Sequence, residues 1–126
     1  MRKSYFILAI CWTLFVAVMC LIDLSDVKTP KQFTFPHIDK IVHTLFYTII
    51  SFLWGMTFLR KDSPKISNNY VLLIICIGFG ILIELLQGFG GFNRSFEWED
   101  ILANSIGVFL GYIICLKILT FKPHNS

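Results

Sequence analysis

The chain has 126 residues, of which 56% are hydrophobic and only 15% charged, with a formal net charge of +3 and a mean hydropathy of +0.71. That composition excludes a disordered chain, which needs low hydrophobicity and high charge, and it exceeds the apolar surface that a soluble domain of this size can bury. The small, scattered basic excess excludes a nucleic-acid binder, and an integral membrane protein remains.

Four apolar runs follow in order. The first covers residues 5–22 and the second 41–59, both without charge. The third covers 70–92 with Glu84 as its only charge. The fourth covers 101–116 and extends through Lys117 to 121, the lysine snorkelling near its end. A spanning helix needs ~20 mostly apolar residues. Each run therefore predicts one, and the short alternating segments of a barrel are absent. The first run is expected to stay as a helix rather than be cleaved. It is long for a signal sequence and lacks an A-x-A site, and bulky Met19 before Cys20 argues against lipoprotein processing. The expected fold is all-α, an integral membrane four-helix bundle forming a single domain over residues 1–126.

Basic flanks set the expected orientation. Arg2, Lys3, Arg60, Lys61, Lys65, Lys117 and Lys122 gather on one side. Lys28, Lys31, Lys40 and Arg94 lie on the other, diluted by Asp23, Asp26, Asp39, Glu97, Glu99 and Asp100. Both termini are thus expected in the cytoplasm, with Phe33, Phe35, Phe96 and Trp98 at the outer interface. Cys11, Cys20, Cys76 and Cys115 all fall in apolar runs without close ligand spacing. They read as small buried hydrophobes rather than as disulfides or zinc ligands.

Hydrophobicity builds the helices, and the polar exceptions carry the functional signal, because a charge at mid-bilayer is costly. Asp39, Lys40 and His43 open the second helix, while Glu84 and Gln87 lie near the end of the third. Arg94, Glu97, Glu99 and Asp100 are expected in the third loop, and Asn104 in the first turns of the fourth helix. At 1.5 Å per residue, His43 sits roughly 7 Å below the outer start of its helix. Glu84 and Asn104 are similarly deep, so three segments deliver polar groups to one layer. Asp39 and His43, four apart, share a face, as do Glu84 and Gln87, three apart. Asp100, Asn104, Gly107 and Gly111 form one stripe, polar above and small below, and the Gly107-x-x-x-Gly111 pair suits close helix packing.

The ordered set resembles the VanZ-like membrane proteins. It comprises Asp39-Lys40-x-x-His43-x-x-x-Tyr47, Glu84-x-x-Gln87, and Arg94-x5-Asp100-x-x-Ala103-Asn104-x-x-Gly107-x-x-x-Gly111. The motif-bearing region is 38–111. The resemblance implies a multi-pass protein of the bacterial plasma membrane and a family named for a teicoplanin-resistance accessory protein. Its motif lands on His43, Glu84, Gln87, Arg94, Asp100 and Asn104. One departure is the glycine-rich stretch 88–93, where relatives often carry a proline.

The expected function is binding at the outer membrane face of a phospholipid headgroup, a lipid-linked cell-wall precursor or a glycopeptide, contributing to envelope integrity or antibiotic resistance. The partner expected throughout is the lipid bilayer, and the sequence does not set the oligomeric state. No catalytic residue is assigned, and no cofactor or metal is expected. Two alternatives remain open. One is an intramembrane hydrolase or transferase on lipid-linked substrates, with His43 as a base oriented by Asp39, or with His43, Glu84 and Asp100 as metal ligands. The other is a structural module whose polar layer locks the helices together for assembly with a partner.

Overall fold

In a computed structural model, residues 2–22, 37–59, 66–91 and 94–121 are described. They form four helices: α1 (Arg2–Leu21), α2 (Ile38–Phe58), α3 (Ile66–Phe89) and α4 (Trp98–Thr120). No strand occurs among the described residues. Each helix is long and apolar enough to cross a membrane. The helices run three or four residues past the apolar runs at their N-terminal ends. Helical hydrogen bonds continue into the headgroup region, because they depend on backbone geometry and not on apolar side chains. One consequence is a correction: Glu99 and Asp100 are not loop residues but lie in the first turn of α4. There two carboxylates complement the positive end of the helix dipole.

The helices alternate in direction. Arg2 at the start of α1 donates to the Leu59 carbonyl just past the end of α2 (3.2 Å). Gln87 near the end of α3 reaches the last turn of α1. The starts of α2 and α4 meet through His43 and Asn104. The α1–α2 and α3–α4 connections therefore share one end of the bundle. Residues 28, 31, 33, 35, 60, 61, 65 and 122, used above for orientation, lie outside the described residues.

The closest packing is between α2 and α4. A Cβ on Gly107 would run into the Thr44 carbonyl oxygen, and one on Gly111 into that of Thr48. Two parallel helices thus pass backbone to backbone. In a medium where lipid tails are as apolar as leucine, such close contact replaces the hydrophobic drive. Hydroxyls that would otherwise be stranded in lipid bond within their own helices. Thr44 donates to the Lys40 carbonyl (2.8 Å) and Thr48 to that of Thr44 (2.7 Å). Against α1, the indole N–H groups supply the polar links. Trp12 donates to the Phe46 carbonyl (3.1 Å) and Trp54 to the Thr13 hydroxyl (3.0 Å).

Val16, Tyr47, Ile50, Cys76, Ile83 and Val108 belong to the core. The outward faces carry Leu14, Ile74, Ile75, Leu102 and Ile106, all exposed and suited to hydrocarbon. Three of the cysteines are buried as expected, but Cys11 is exposed on the outer face of α1. Polar side chains collect at the end bearing the α1–α2 and α3–α4 connections. The opposite half carries an open apolar pocket of about 470 Å³ between α1, α2 and α3, lined by residues such as Thr13, Trp54, Leu72 and Phe79.

Candidate functional site

Asp39 and Lys40 occupy the first turn of α2, and Asp100 the first turn of α4. The close α2–α4 approach brings these turns together. The Lys40 ammonium donates to Asp39 Oδ2 (2.9 Å), to Asp100 Oδ1 (2.5 Å) and to Glu97 Oε2. One cation therefore ties three carboxylates from two segments. Asp39 and Glu97 are about half exposed, whereas the Asp100 side chain is only 9% exposed.

One turn further along α2, His43 is buried. The sequence suggested Asp39 as its orienting partner, but the ring turns to α4 instead. Its Nδ1 lies 3.1 Å from Asn104 Oδ1, and its Nε2 lies 3.7 Å from Asp100 Oδ2. With the proton on Nδ1 the ring donates to Asn104, and a neutral imidazole then has its Nε2 lone pair free.

Glu84 enters the same layer from α3 and is 0% exposed. Its Oε2 accepts the Glu97 backbone N–H at 3.4 Å, and its Oε1 has no hydrogen-bond partner. Donor atoms of His43, Glu84 and Asp100 all lie within 4.8 Å of one another. The glycine-rich exit of α3 makes this possible. A Cβ on Gly88 would press on the Phe96 backbone, so glycine there lets the chain fold back tightly over α3. Gly91 then turns with a positive φ of 74°.

Gln87 lies one turn nearer the end of α3 than Glu84. Its amide donates to the Cys20 carbonyl, an acceptor left open by the end of α1. Gln87→Leu is therefore expected to cost about 1–3 kcal/mol through the stranded carbonyl. Thermal unfolding in detergent measures it, and an unchanged midpoint would show that the Cys20 carbonyl is satisfied elsewhere.

The fold thus brings together Asp39, Lys40, His43, Glu84, Asp100 and Asn104, with Gln87 at the boundary and Gly107 and Gly111 beneath. Arg94 is not brought in. It is exposed in the connection before α4 and has no salt bridge among the described residues. Glu84 and Arg94 form no ion pair. Glu97 is an exposed residue outside the helix, as expected of a loop charge, and it also accepts from Lys40. Tyr47, one turn from His43, is fully buried with its hydroxyl unpartnered, and the four-residue spacing already placed it on the His43 face.

An open cleft of about 400 Å³ leads off this end between α2 and α4. Lys40, His37, Thr44 and Glu99 supply its polar side, and Leu102 and Ile106 its apolar side. In chemical terms the arrangement can coordinate a cation, relay a proton through the imidazole, or hold a polar group next to hydrocarbon. A family model described as VanZ/LLP1 matches residues 4–120. No curated protein and no solved structure matches the chain.

Proposed function

The chain belongs to the VanZ/LLP1 family, and from that premise we propose that it is a bacterial plasma-membrane protein that holds the headgroup of a phospholipid or a lipid-linked cell-wall precursor at its polar end. The observation carrying this reading is a buried polar layer that the protein leaves incomplete. Glu84 Oε1 and the Asn104 side-chain amide nitrogen are buried without partners. Such groups are rare in native structures and mark places where a ligand, ion or water completes the bonding. The cleft beside Lys40 has polar and apolar lining residues, which suits an amphiphile whose headgroup lies at the membrane interface.

The bias of Arg2, Lys3 and Lys117 toward the opposite end supports an orientation with that end in the cytoplasm and the cluster at the outer leaflet. There, headgroup binding contributes to envelope integrity or to glycopeptide resistance. Arg94 stands exposed beside this end, without a salt bridge among the described residues, and its planar fork is suited to phosphate or carboxylate.

Native mass spectrometry of the detergent-extracted chain tests the reading. The expected result is a retained lipid, with binding at least tenfold weaker in Arg94→Ala, about the loss of one charge-assisted contact. A folded chain that carries no lipid and takes up neither labelled phospholipid nor polyprenyl phosphate would sink it.

A further inference from the structure

We infer that His43, Glu84 and Asp100 form a binding site for a divalent metal cation of the Zn²⁺ or Mn²⁺ class. In the sequence this trio is only an alternative ligand set. In the fold each member is fixed at one atom and presents another. His43 is held at Nδ1 by Asn104, leaving Nε2. Asp100 is held at Oδ1 by the Lys40 ammonium, leaving Oδ2, 3.7 Å from His43 Nε2. Glu84 is held at Oε2 by the Glu97 backbone N–H, leaving Oε1 without a partner.

Ligand atoms bound to one ion at ~2.0–2.2 Å stand roughly 3–4 Å apart. One ligand atom from each residue lies within 4.8 Å of the others, and His43 Nε2 stands 3.7 Å from Asp100 Oδ2, so a small closing rotation of the side chains suffices. All three residues are buried, Glu84 completely. The nearest ammonium is already shared among Asp39, Glu97 and Asp100. A fully buried carboxylate oxygen with no donor is a standing cost, which a cation would relieve. Imidazole nitrogen with two carboxylates is the donor set of Zn²⁺ or Mn²⁺, harder than the thiolate sites that favour Cu⁺. The contact from Asn104 to the far ring nitrogen is the outer support that metal-bound histidines usually have. The second acidic group, Asp39, Glu97 and Asp100, is already bridged by Lys40 and carries no such site.

A bound cation would also change what the polar end attracts. A divalent ion with open positions would bridge to phosphate oxygens. This extension rests on the headgroup reading above, but the ion site itself does not.

The test dialyses the full chain in detergent, without added lipid, against Zn²⁺ or Mn²⁺ alone, and measures bound metal per chain. One ion per chain is expected. Glu84→Gln should weaken binding at least tenfold, while Glu99→Gln, outside the trio, should leave it unchanged. If Glu84→Gln is not monodisperse, Asn104→Ala serves, with an expected loss of about 10–100-fold through the histidine support. A folded wild-type chain that binds no ion overturns the inference. So does a folded Glu84→Gln or Asn104→Ala variant that binds as tightly as wild type. Lipid uptake measured separately distinguishes the two readings. Metal without lipid sinks only headgroup binding, and lipid without metal sinks only the ion site.

Discussion

Gly107→Ala is expected to destabilise the bundle, and Gly78→Ala to stabilise it, although both replace a helical glycine with the best helix former. Away from other contacts, the change gains up to about 1 kcal/mol. Gly78 lies exposed on α3, and a Cβ there meets nothing within 4 Å, so only the gain remains. At Gly107 the added carbon collides with the Thr44 carbonyl oxygen, and at Gly111 with that of Thr48. Those atoms are backbone in the middle of α2 and cannot rotate away. Relief requires α2 and α4 to separate along their whole contact. Overpacking of this kind costs about 1–3 kcal/mol, occasionally more, which outweighs the propensity gain. The Gly107→Ala, Gly111→Ala double variant is expected to fail to assemble. Thermal unfolding in detergent, followed by helical circular dichroism, reads the sign of each change. A Gly107→Ala protein as stable as Gly78→Ala would mean that α2 and α4 do not pass this closely.

The same contact governs the polar end. With the helices a Cβ further apart, Asp100 would leave Lys40 and Asn104 would leave His43. Packing low in the membrane thereby positions the chemistry at the interface. Gly107→Ala should consequently weaken metal uptake as well as stability.

Much of this was legible in the sequence, and the limits have a physical origin. Charge-free runs of helix-spanning length identify membrane helices, because lipid leaves the backbone no other way to satisfy its hydrogen bonds. Rise per residue gives depth, so the common level of His43, Glu84 and Asn104 could be read directly. Helical period gives the face within each helix, as for Asp100, Asn104, Gly107 and Gly111. Neither quantity gives the rotation of one helix about another. Side-chain pairing was accordingly the part that differed: His43 turned to Asn104 and Asp100 on α4 instead of Asp39. Glu99 and Asp100 were placed in the loop because hydrophobicity marks where lipid begins, not where the helix begins. With α4 starting at Trp98, both fall in its first turn, and Glu97 just before it faces Lys40.

The ammonium of Lys40 leads to the second large effect. Lys40→Met keeps much of the side-chain length but leaves Asp39, Glu97 and Asp100 converging on nothing. Their oxygens lie within 4.8 Å of one another, and Asp100 is nearly buried. Removing one partner from a buried charge pair costs about 3–5 kcal/mol, mostly from the charge left behind. Because Asp39 and Glu97 are half exposed and screened by water, the expected loss is at the lower end, about 3 kcal/mol. Glu97→Gln alone should cost under about 1 kcal/mol, since Lys40 keeps two carboxylates and Glu97 reaches solvent. In the Lys40→Met background the sign should reverse. There Glu97→Gln removes a repelling carboxylate and restores part of the lost stability. A double-mutant cycle isolates this coupling, and the measurement needs a chelator present so that no metal ion takes the place of the ammonium. Glu97→Gln with the same effect in both backgrounds would detach Glu97 from the cluster, leaving Asp100 alone to hold Lys40 against α4.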